Sequence, residues 1–219
     1  GDAPGFTATG TALLDLSIVG AAVGVAAHTA RPVPLALWQF GLRRGPLGYA
    51  IGMAFTVVLA FFIFEIAYVT ILQPDNPQTI AEELGADRST LLLVMGALVV
   101  IVVAPVCEEL FFRGFLFRVL RSNMPFLAAA LIDGVLFGLV HGSFVILPVL
   151  AFLGVALCWL YTRTGTLFAP IAVHALNNTI AYGAVTDNGW GVALPMGVAM
   201  IVACALVPAL LPRRTPAPV

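Results

Sequence analysis

Apolar residues fill this chain in long continuous blocks, separated by short stretches that hold Gly, Pro or Arg. A helix needs about 20 mostly apolar residues to cross about 30 Å of hydrocarbon, and lipid-facing backbone must satisfy its own hydrogen bonds. The pattern therefore predicts seven transmembrane helices. They are Thr11 to Thr29, Leu47 to Leu72, Thr90 to Leu120, Phe126 to Ser143, Val145 to Thr162, Leu167 to Val185 and Gly191 to Leu211.

The stretches between these blocks complete the predicted architecture. Residues 31–48 are rich in Pro and Gly and contain Trp38, which is typical of a segment at the membrane interface. The third block is too long for a straight span, so it tilts or extends past the bilayer. The expected fold class is all-α, a polytopic transmembrane helix bundle of about seven spans plus an interfacial segment. Residues 1–219 are expected to form one integral-membrane domain, with a motif-bearing core at about 90–181.

Composition narrows the functional classes. The 219 residues are 61% hydrophobic and 10% charged, whereas a soluble domain is about a quarter charged. This excludes a soluble domain, a secreted mini-protein, a coiled coil and a disordered chain. The ten basic residues are all Arg and form no basic face, so no nucleic-acid partner is expected. Arg without Lys suggests a GC-rich bacterial genome.

Arginine placement predicts the orientation. With seven spans, nine of the ten arginines fall on one side and Arg88 falls on the other. Short loops that hold Arg stay cytoplasmic, so we expect a multi-pass protein of the cell membrane with its N-terminus outside and its C-terminus in the cytoplasm. Residues 1–10 lack a basic residue, so no signal peptide is expected.

Ionisable residues inside the predicted spans are the candidates for function, since each costs a few kcal/mol to insert. They are Asp15, Glu65, Glu108, Glu109, Arg113, Asp133, His141 and His174. On the third span, Glu109 and Arg113 are four residues apart and can pair. Glu108 then lies about 100° round the helix. The alternative is that the trio is an ion-paired packing cluster or an interfacial anchor.

Helix geometry places two further groups near Glu108. Glu108 and His141 are equidistant from the turn at residues 122–125, so an antiparallel hairpin puts both at one depth. His141 is then a general acid/base or a metal ligand, unless it is only a packing residue. On the sixth span, His174 and Asn178 share a face slightly below that depth; polar contacts between helices are the alternative.

Together, a carboxylate, two imidazoles and an amide can activate water and hold an oxyanion, as peptide hydrolysis requires. Other hydrolytic sites fit worse: the chain has no His-Glu-x-x-His helix, Ser143 lacks a Gly-x-Ser-x-Gly setting, and a Cys107 thiol would be buried. Asp133, two turns before His141, is a candidate for orienting the site. Asp15 and Glu65 receive no role.

Three motifs in order resemble those of the CAAX protease and bacteriocin-processing family, whose eukaryotic members are the type II CAAX prenyl endopeptidases. They are Glu108-Glu109-x-x-x-Arg113, Phe137-x-x-x-His141 and His174-x-x-x-Asn178. The resemblance implies an intramembrane endopeptidase in which Glu108 activates water with help from His141. It further implies that His174 and Asn178 stabilise the oxyanion and that Arg113 supports the glutamates, with Glu109 less central.

Cofactor and substrate stay more open. The preferred interpretation requires no cofactor, although Glu108, His141 and His174 can bind zinc if their helices converge. The expected partners are a peptide or lipidated protein substrate and membrane lipid, and the sequence does not indicate whether the substrate is prenylated. A transporter or proton relay, and a non-catalytic scaffold that binds a peptide, are the competing functions. No internal repeat of the kind common in transporters is present.

Overall fold

The computed structural model describes residues 37–73, 89–186 and 189–211, together with Gly20 and Gly24. The first predicted span, most of the polar loop after Leu72 and the C-terminal tail lie outside the described residues. Within them, the regular structure is helical. The six α-helical elements are α1 (Leu47–Leu72), α2 (Thr90–Arg121), α3 (Phe126–Leu139), α4 (Leu147–Thr164), α5 (Phe168–Val185) and α6 (Trp190–Leu210).

These helices form a membrane bundle, as predicted. Among the described residues, α1, α2, α4 and α6 are each long and apolar enough to cross a bilayer. Helix α1 lies at the edge of the bundle and exposes large apolar side chains such as Ile51 and Phe55. In water such a surface would be unfavourable, but lipid solvates it. The protein is therefore a multi-pass membrane protein.

The described part of the interfacial segment holds a short 3-10 helix, Leu37–Phe40. It packs against α2, where Gly114 approaches the Phe40 carbonyl so closely that a Cβ would lie 2.8 Å from that oxygen. Beyond it, Arg43 is buried and donates from Nε to the Gly165 carbonyl that follows α4. The segment therefore closes one end of the bundle by contacts with both α2 and the α4–α5 turn.

Helix α2 is not a uniform α-helix. Its α-helical turns are interrupted by two π-helical segments, Val99–Val103 and Phe112–Leu116, on either side of Ala104–Phe111. Pro105 explains the first of them in part, because proline has no N–H to donate to a carbonyl in the preceding turn. Such π segments commonly occur at functional sites. The stretch between them carries Glu108 and Glu109.

The fourth predicted span is wrong in length. Sequence patterning predicts a helix from Phe126 to Ser143, but α3 ends at Leu139 after 14 residues, about 21 Å. Gly142 adopts a left-handed conformation with φ 71°, which ends the helix as a glycine commonly does. Helix α4 then begins at Leu147, with a proline in its first turn. His141 consequently lies in a turn between two helices rather than on a helix.

Helices α3 and α4 pack closely because two glycines face one another. A Cβ on Gly154 would lie 2.6 Å from the Gly134 Cα, and a Cβ on Gly134 would lie 2.6 Å from the Ala151 carbonyl oxygen. Small residues allow membrane helices to approach to this degree. The contact brings the backbone of α4 next to the charged residues of α2 and α3.

Candidate active site

Two adjacent glutamates of α2 lie in different surroundings. The Glu109 side chain is completely buried, whereas 18% of the Glu108 side chain is exposed. Consecutive helical residues point about 100° apart, so Glu109 faces the interior of the bundle whereas the Glu108 side chain is partly exposed. This is the division that the sequence predicts.

Glu109 is held by two partners. Its Oε1 accepts a hydrogen bond from Arg113 Nη1 at 2.7 Å and lies 3.0 Å from His174 Nδ1. Arg113 is itself completely buried and donates from Nη2 to the Gly154 carbonyl at 3.0 Å. The Arg113 guanidinium also lies 4.5 Å from the centre of the Phe137 ring. Glu109 therefore serves as a buried anchor that joins α2 to α5.

Glu108 faces both imidazoles. Its Oε2 lies 4.0 Å from His141 Nε2 and 3.9 Å from His174 Nε2. Both separations exceed a direct hydrogen bond. They match the span across one water molecule, which can lie about 2.8 Å from an oxygen and a nitrogen together. The structure thus brings Glu108, His141 and His174 together, and one water molecule can bridge the carboxylate to either imidazole.

The partners of each imidazole Nδ1 define its tautomer. His141 Nδ1 lies 2.8 Å from the Phe137 carbonyl oxygen, which can only accept, so Nδ1 carries the proton. His174 Nδ1 donates in the same way to Glu109, whose carboxylate is paired with Arg113. In their neutral forms both rings then present a basic Nε2 towards Glu108.

Asn178 contacts the backbone of α2. Its Nδ2 donates to the Val100 carbonyl at 2.8 Å, and its Oδ1 accepts from Asn177 at 3.3 Å. Val100 lies in the first π-helical segment, where Ala104 N–H bonds five residues back to Val99. Pro105 follows Ala104 and has no N–H for Val100, so Asn178 satisfies the carbonyl that the proline leaves unpaired.

Phe137 joins the parts of the site. Its fully buried ring lies 5.0 Å from the His141 ring and 5.4 Å from the His174 ring, and it also underlies Arg113. In the sequence, Phe137 is recognisable only as the first residue of a motif, and none of its contacts is predicted. Its spacing of four residues before His141 is the one signal of this position, since such residues share a helix face.

Asp133, Glu65 and Asp15 are the remaining charges within the predicted spans. Asp133 lies in the interior, with its Oδ2 3.5 Å from Arg113 Nε and 3.1 Å from Cys158 Sγ. Glu65 is partly buried on α1, and no ion pair or hydrogen bond joins it to another described residue. Asp15 lies outside the described residues. The cysteines Cys107, Cys158 and Cys204 are buried and form no disulfide with one another.

The fit of a metal ion can be tested on donor spacing. Two ligands of a tetrahedral zinc ion, each bound at about 2.0–2.2 Å, lie about 3.3–3.6 Å apart. The two Glu108–imidazole separations are wider, at 4.0 and 3.9 Å. No group of three or more His, Cys, Asp or Glu side chains suited to a metal occurs among the described residues. The arrangement of these residues does not fit zinc, and the metal dependence of the protein stays a prediction.

Part of the chain is similar in sequence to known proteins. Residues 90–180 match the family model described as Type II CAAX prenyl endopeptidase Rce1-like. Over 121 residues the chain is 29% identical to "Putative membrane peptidase YdiL" of Bacillus subtilis (strain 168), a match that covers 55% of this chain and 46% of that protein. Over 138 residues it is 27% identical to "Membrane-embedded CAAX protease MroQ" of Staphylococcus aureus (strain USA300), covering 60% of this chain and 53% of that protein.

The chain spans about half the length of these curated relatives. No solved structure matches it. The matched segment contains all three motifs, and it contains every side chain that meets around Glu108. Residues 90–180 are therefore similar to the Rce1-like type II CAAX prenyl endopeptidases in sequence, and they carry the side chains of the candidate site.

Proposed function

We propose that the protein is an intramembrane endopeptidase that hydrolyses membrane-associated or CAAX-like peptides with a water molecule activated by Glu108. The observation that carries this proposal is the position of Glu108 Oε2, 4.0 and 3.9 Å from two imidazole nitrogens inside an apolar bundle. A carboxylate and a basic nitrogen on either side of one water-sized space are suited to removing a proton from water. The family and the names of the relatives support the same reaction class.

The reaction follows from these positions. Glu108 takes a proton from the water, and the water oxygen forms a bond to the carbonyl carbon of the scissile peptide. The carbonyl oxygen then carries the negative charge of a tetrahedral intermediate. Protonated Glu108 returns its proton to the peptide nitrogen, the carbon–nitrogen bond breaks, and a carboxylic acid and an amine leave. His141 Nε2 accepts a hydrogen bond from the water and orients its lone pair.

His174 and Asn178 are the proposed oxyanion donors. His174 already donates from Nδ1 to Glu109, so it can donate from Nε2 only as an imidazolium. Asn178 uses one amide hydrogen for Val100 and has a second one on the same nitrogen. Donors aimed at a developing oxyanion are worth about 10²–10³-fold in rate.

The substrate class follows from where the site lies. Helix α3 has 14 residues, about 21 Å, which is shorter than the hydrocarbon thickness of about 30 Å, so we propose that His141 in the turn after it lies within the membrane. A peptide segment or lipidated protein already held in the membrane can reach that depth. We further propose the orientation in which the N-terminus is outside and the C-terminus is cytoplasmic.

The test is cleavage of a membrane-anchored reporter peptide by purified protein in liposomes. Glu108→Gln keeps the shape of the side chain but cannot take a proton, so we expect a loss of about 10²–10⁴-fold in kcat. His141→Ala is expected to lose activity in the same range. Thr56→Ala, on lipid-facing α1, is the matched control and is expected to keep full activity; its hydroxyl bonds only to its own helix, at Gly52.

Retention of full activity by Glu108→Gln would overturn the catalytic assignment. A folded wild-type protein that binds the peptide but never cleaves it would favour the non-catalytic scaffold. Treatment with a strong chelator, followed by metal analysis of the same sample, tests the mechanism further. We expect unchanged turnover, and one zinc per chain required for turnover would contradict a metal-independent reaction.

A further inference from the structure

The Arg113 guanidinium is completely buried, and one of its neighbours, Asp133, has no role in the proposed reaction. Arg113 has three polar contacts in three directions. Nη1 bonds to Glu109 at 2.7 Å, Nη2 bonds to the Gly154 carbonyl at 3.0 Å, and Nε lies 3.5 Å from Asp133 Oδ2. Three such contacts define the plane of a guanidinium, because its donors form a rigid fork.

Asp133 is fully buried and is itself fixed in place. Its Oδ2 accepts a hydrogen bond from Cys158 Sγ at 3.1 Å. Cys158 lies one helical turn after Gly154 on α4, so the residues that hold Asp133 and Arg113 share one face of that helix. The glycine contact between α3 and α4 brings both helices near enough for this arrangement. A buried carboxylate is costly unless it is paired, and here its partners are Arg113 and Cys158.

The chain of contacts continues from Asp133 to the reacting groups. Arg113 holds Glu109, Glu109 accepts from His174 Nδ1 at 3.0 Å, and His174 Nε2 faces Glu108. Asp133 also lies one turn before Phe137, whose ring contacts Arg113 and both imidazoles. A displacement of the guanidinium would therefore shift the ring of His174 relative to Glu108.

We propose that Asp133, supported by the Cys158 thiol, is a positioning residue that fixes the Arg113 guanidinium and, through Glu109, the orientation of the His174 ring. It contacts neither Glu108 nor the space between Glu108 and the imidazoles in this arrangement. Its effect on catalysis is exerted through Arg113. The inference rests on the proposed peptidase function for its kinetic consequences, but the contact chain itself is independent of that function.

The kinetic test uses two substitutions of graded severity. Asp133→Ala removes the contact with Arg113, and we expect kcat to fall by about 10- to 100-fold, as for other residues that orient a catalytic group. KM is expected to change little, because Asp133 does not contact substrate. Asp133→Asn keeps an oxygen that can accept from Arg113 and is expected to restore part of the lost kcat. Cys158→Ser, which keeps a donor to Asp133, is expected to retain more activity than Cys158→Ala.

Thr164→Val is the matched structural control. Thr164 is buried on α4 and donates to the Leu160 carbonyl, with no contact to the Asp133 chain. We expect this variant to lose stability without a change in kcat. The proposal is overturned if Asp133→Ala keeps wild-type kcat while folded, or if Thr164→Val loses kcat to the same degree at equal stability.

A spectroscopic measurement separates this inference from the peptidase proposal. In protein labelled with ¹⁵N-histidine, the His174 Nδ1 proton bonded to Glu109 should give a resonance that Glu109→Gln shifts. We expect Asp133→Ala to shift or broaden the same resonance, while Thr164→Val leaves it unchanged. This result is expected even from a protein that cleaves no peptide, and an unmoved His174 resonance in folded Asp133→Ala contradicts the contact chain.

Discussion

At the scale of single residues, the site shows how neighbouring side chains of one type take different tasks. Glu108 and Glu109 are adjacent in sequence, yet their side chains are 18% and 0% exposed. Glu109 contacts the Arg113 guanidinium and the His174 imidazole directly, which gives it a structural role. Glu108 lies 4.0 and 3.9 Å from its imidazole neighbours, and these separations are compatible with the general-base role proposed for it.

This difference predicts that the same substitution lowers the free energy of unfolding by different amounts at the two positions. Glu109→Gln leaves Arg113 without its closest counter-charge, and breaking a buried ion pair in this way costs about 3–5 kcal/mol. Glu108→Gln keeps the size of a side chain that is 18% exposed, so its cost in unfolding free energy should be smaller than that of Glu109→Gln. Unfolding both variants in mixed detergent micelles measures the difference. Equal stability of the two variants would contradict the structural role of Glu109.

Much of the candidate site can be predicted from the sequence at this scale. Helical spacing predicts the Glu109–Arg113 pair, and the symmetry of the hairpin predicts that Glu108 and His141 lie at one depth. The sequence does not predict the contacts of Asp133 with Arg113 and Cys158. Those contacts depend on how closely two helices approach, which is a property of packing rather than of spacing along one chain.

At the scale of elements, the first π segment of α2 forms next to a single proline. Pro105 removes one backbone donor, the helix widens into a π segment over Val99–Val103, and Asn178 of α5 donates to Val100 in place of the missing N–H. A side chain on one helix thus completes the hydrogen bonding of another. This couples the position of α5, which carries His174, to that of α2.

The coupling can be measured by a double-mutant cycle. Asn178→Ala leaves the Val100 carbonyl unpaired, which costs about 1–3 kcal/mol of unfolding free energy. The alanine in Pro105→Ala has an N–H that can bond to Val100, so the cost of Asn178→Ala should be smaller in that background. Unfolding of the four proteins in mixed micelles gives the interaction energy. Strict additivity would show that Asn178 does not compensate for the proline.

Helix ends are where sequence patterning fails at this scale. The apolar pattern continues to Ser143, but α3 ends at Leu139 because Gly142 adopts a positive φ and His141 Nδ1 bonds back to the Phe137 carbonyl. Apolar residues in a membrane protein are equally compatible with helix and with a buried turn. Hydropathy therefore locates the element but not its final turn.

At the scale of the whole molecule, the bundle surrounds a charged interior with apolar surface. Arg113, Glu109 and Asp133 are all buried, whereas α1 exposes apolar side chains along most of its length. The order of the six described α-helical elements follows from the sequence pattern. Their arrangement around α2 does not, since hydropathy carries no information about which helices are neighbours.

Orientation in the membrane is the prediction that belongs to this scale. Helix α2 contains 32 residues, about 48 Å, so its two ends should be on opposite sides of the bilayer. The arginine bias predicts that residue 123 is in the cytoplasm. In right-side-out vesicles, a membrane-impermeant maleimide should label Thr90→Cys and spare Asn123→Cys.

The native cysteines of the described helices are buried and make a low background in this assay. Inverted vesicles are the control and should give the reverse pattern. Labelling of both positions from the same side would show that a span has been miscounted. Labelling of Asn123→Cys alone in right-side-out vesicles would reverse the proposed orientation.

The two π-helical segments of α2 have a consequence for how this site tolerates change. Each widened turn holds one residue more than an ordinary turn does, so the stretch Ala104–Phe111 is rotated with respect to the lipid-facing ends of the same helix. The direction in which Glu108 points is consequently set by the number of residues in those turns more than by their identity. The loss of one residue from a widened turn would turn the carboxylate by about 100° away from both histidines.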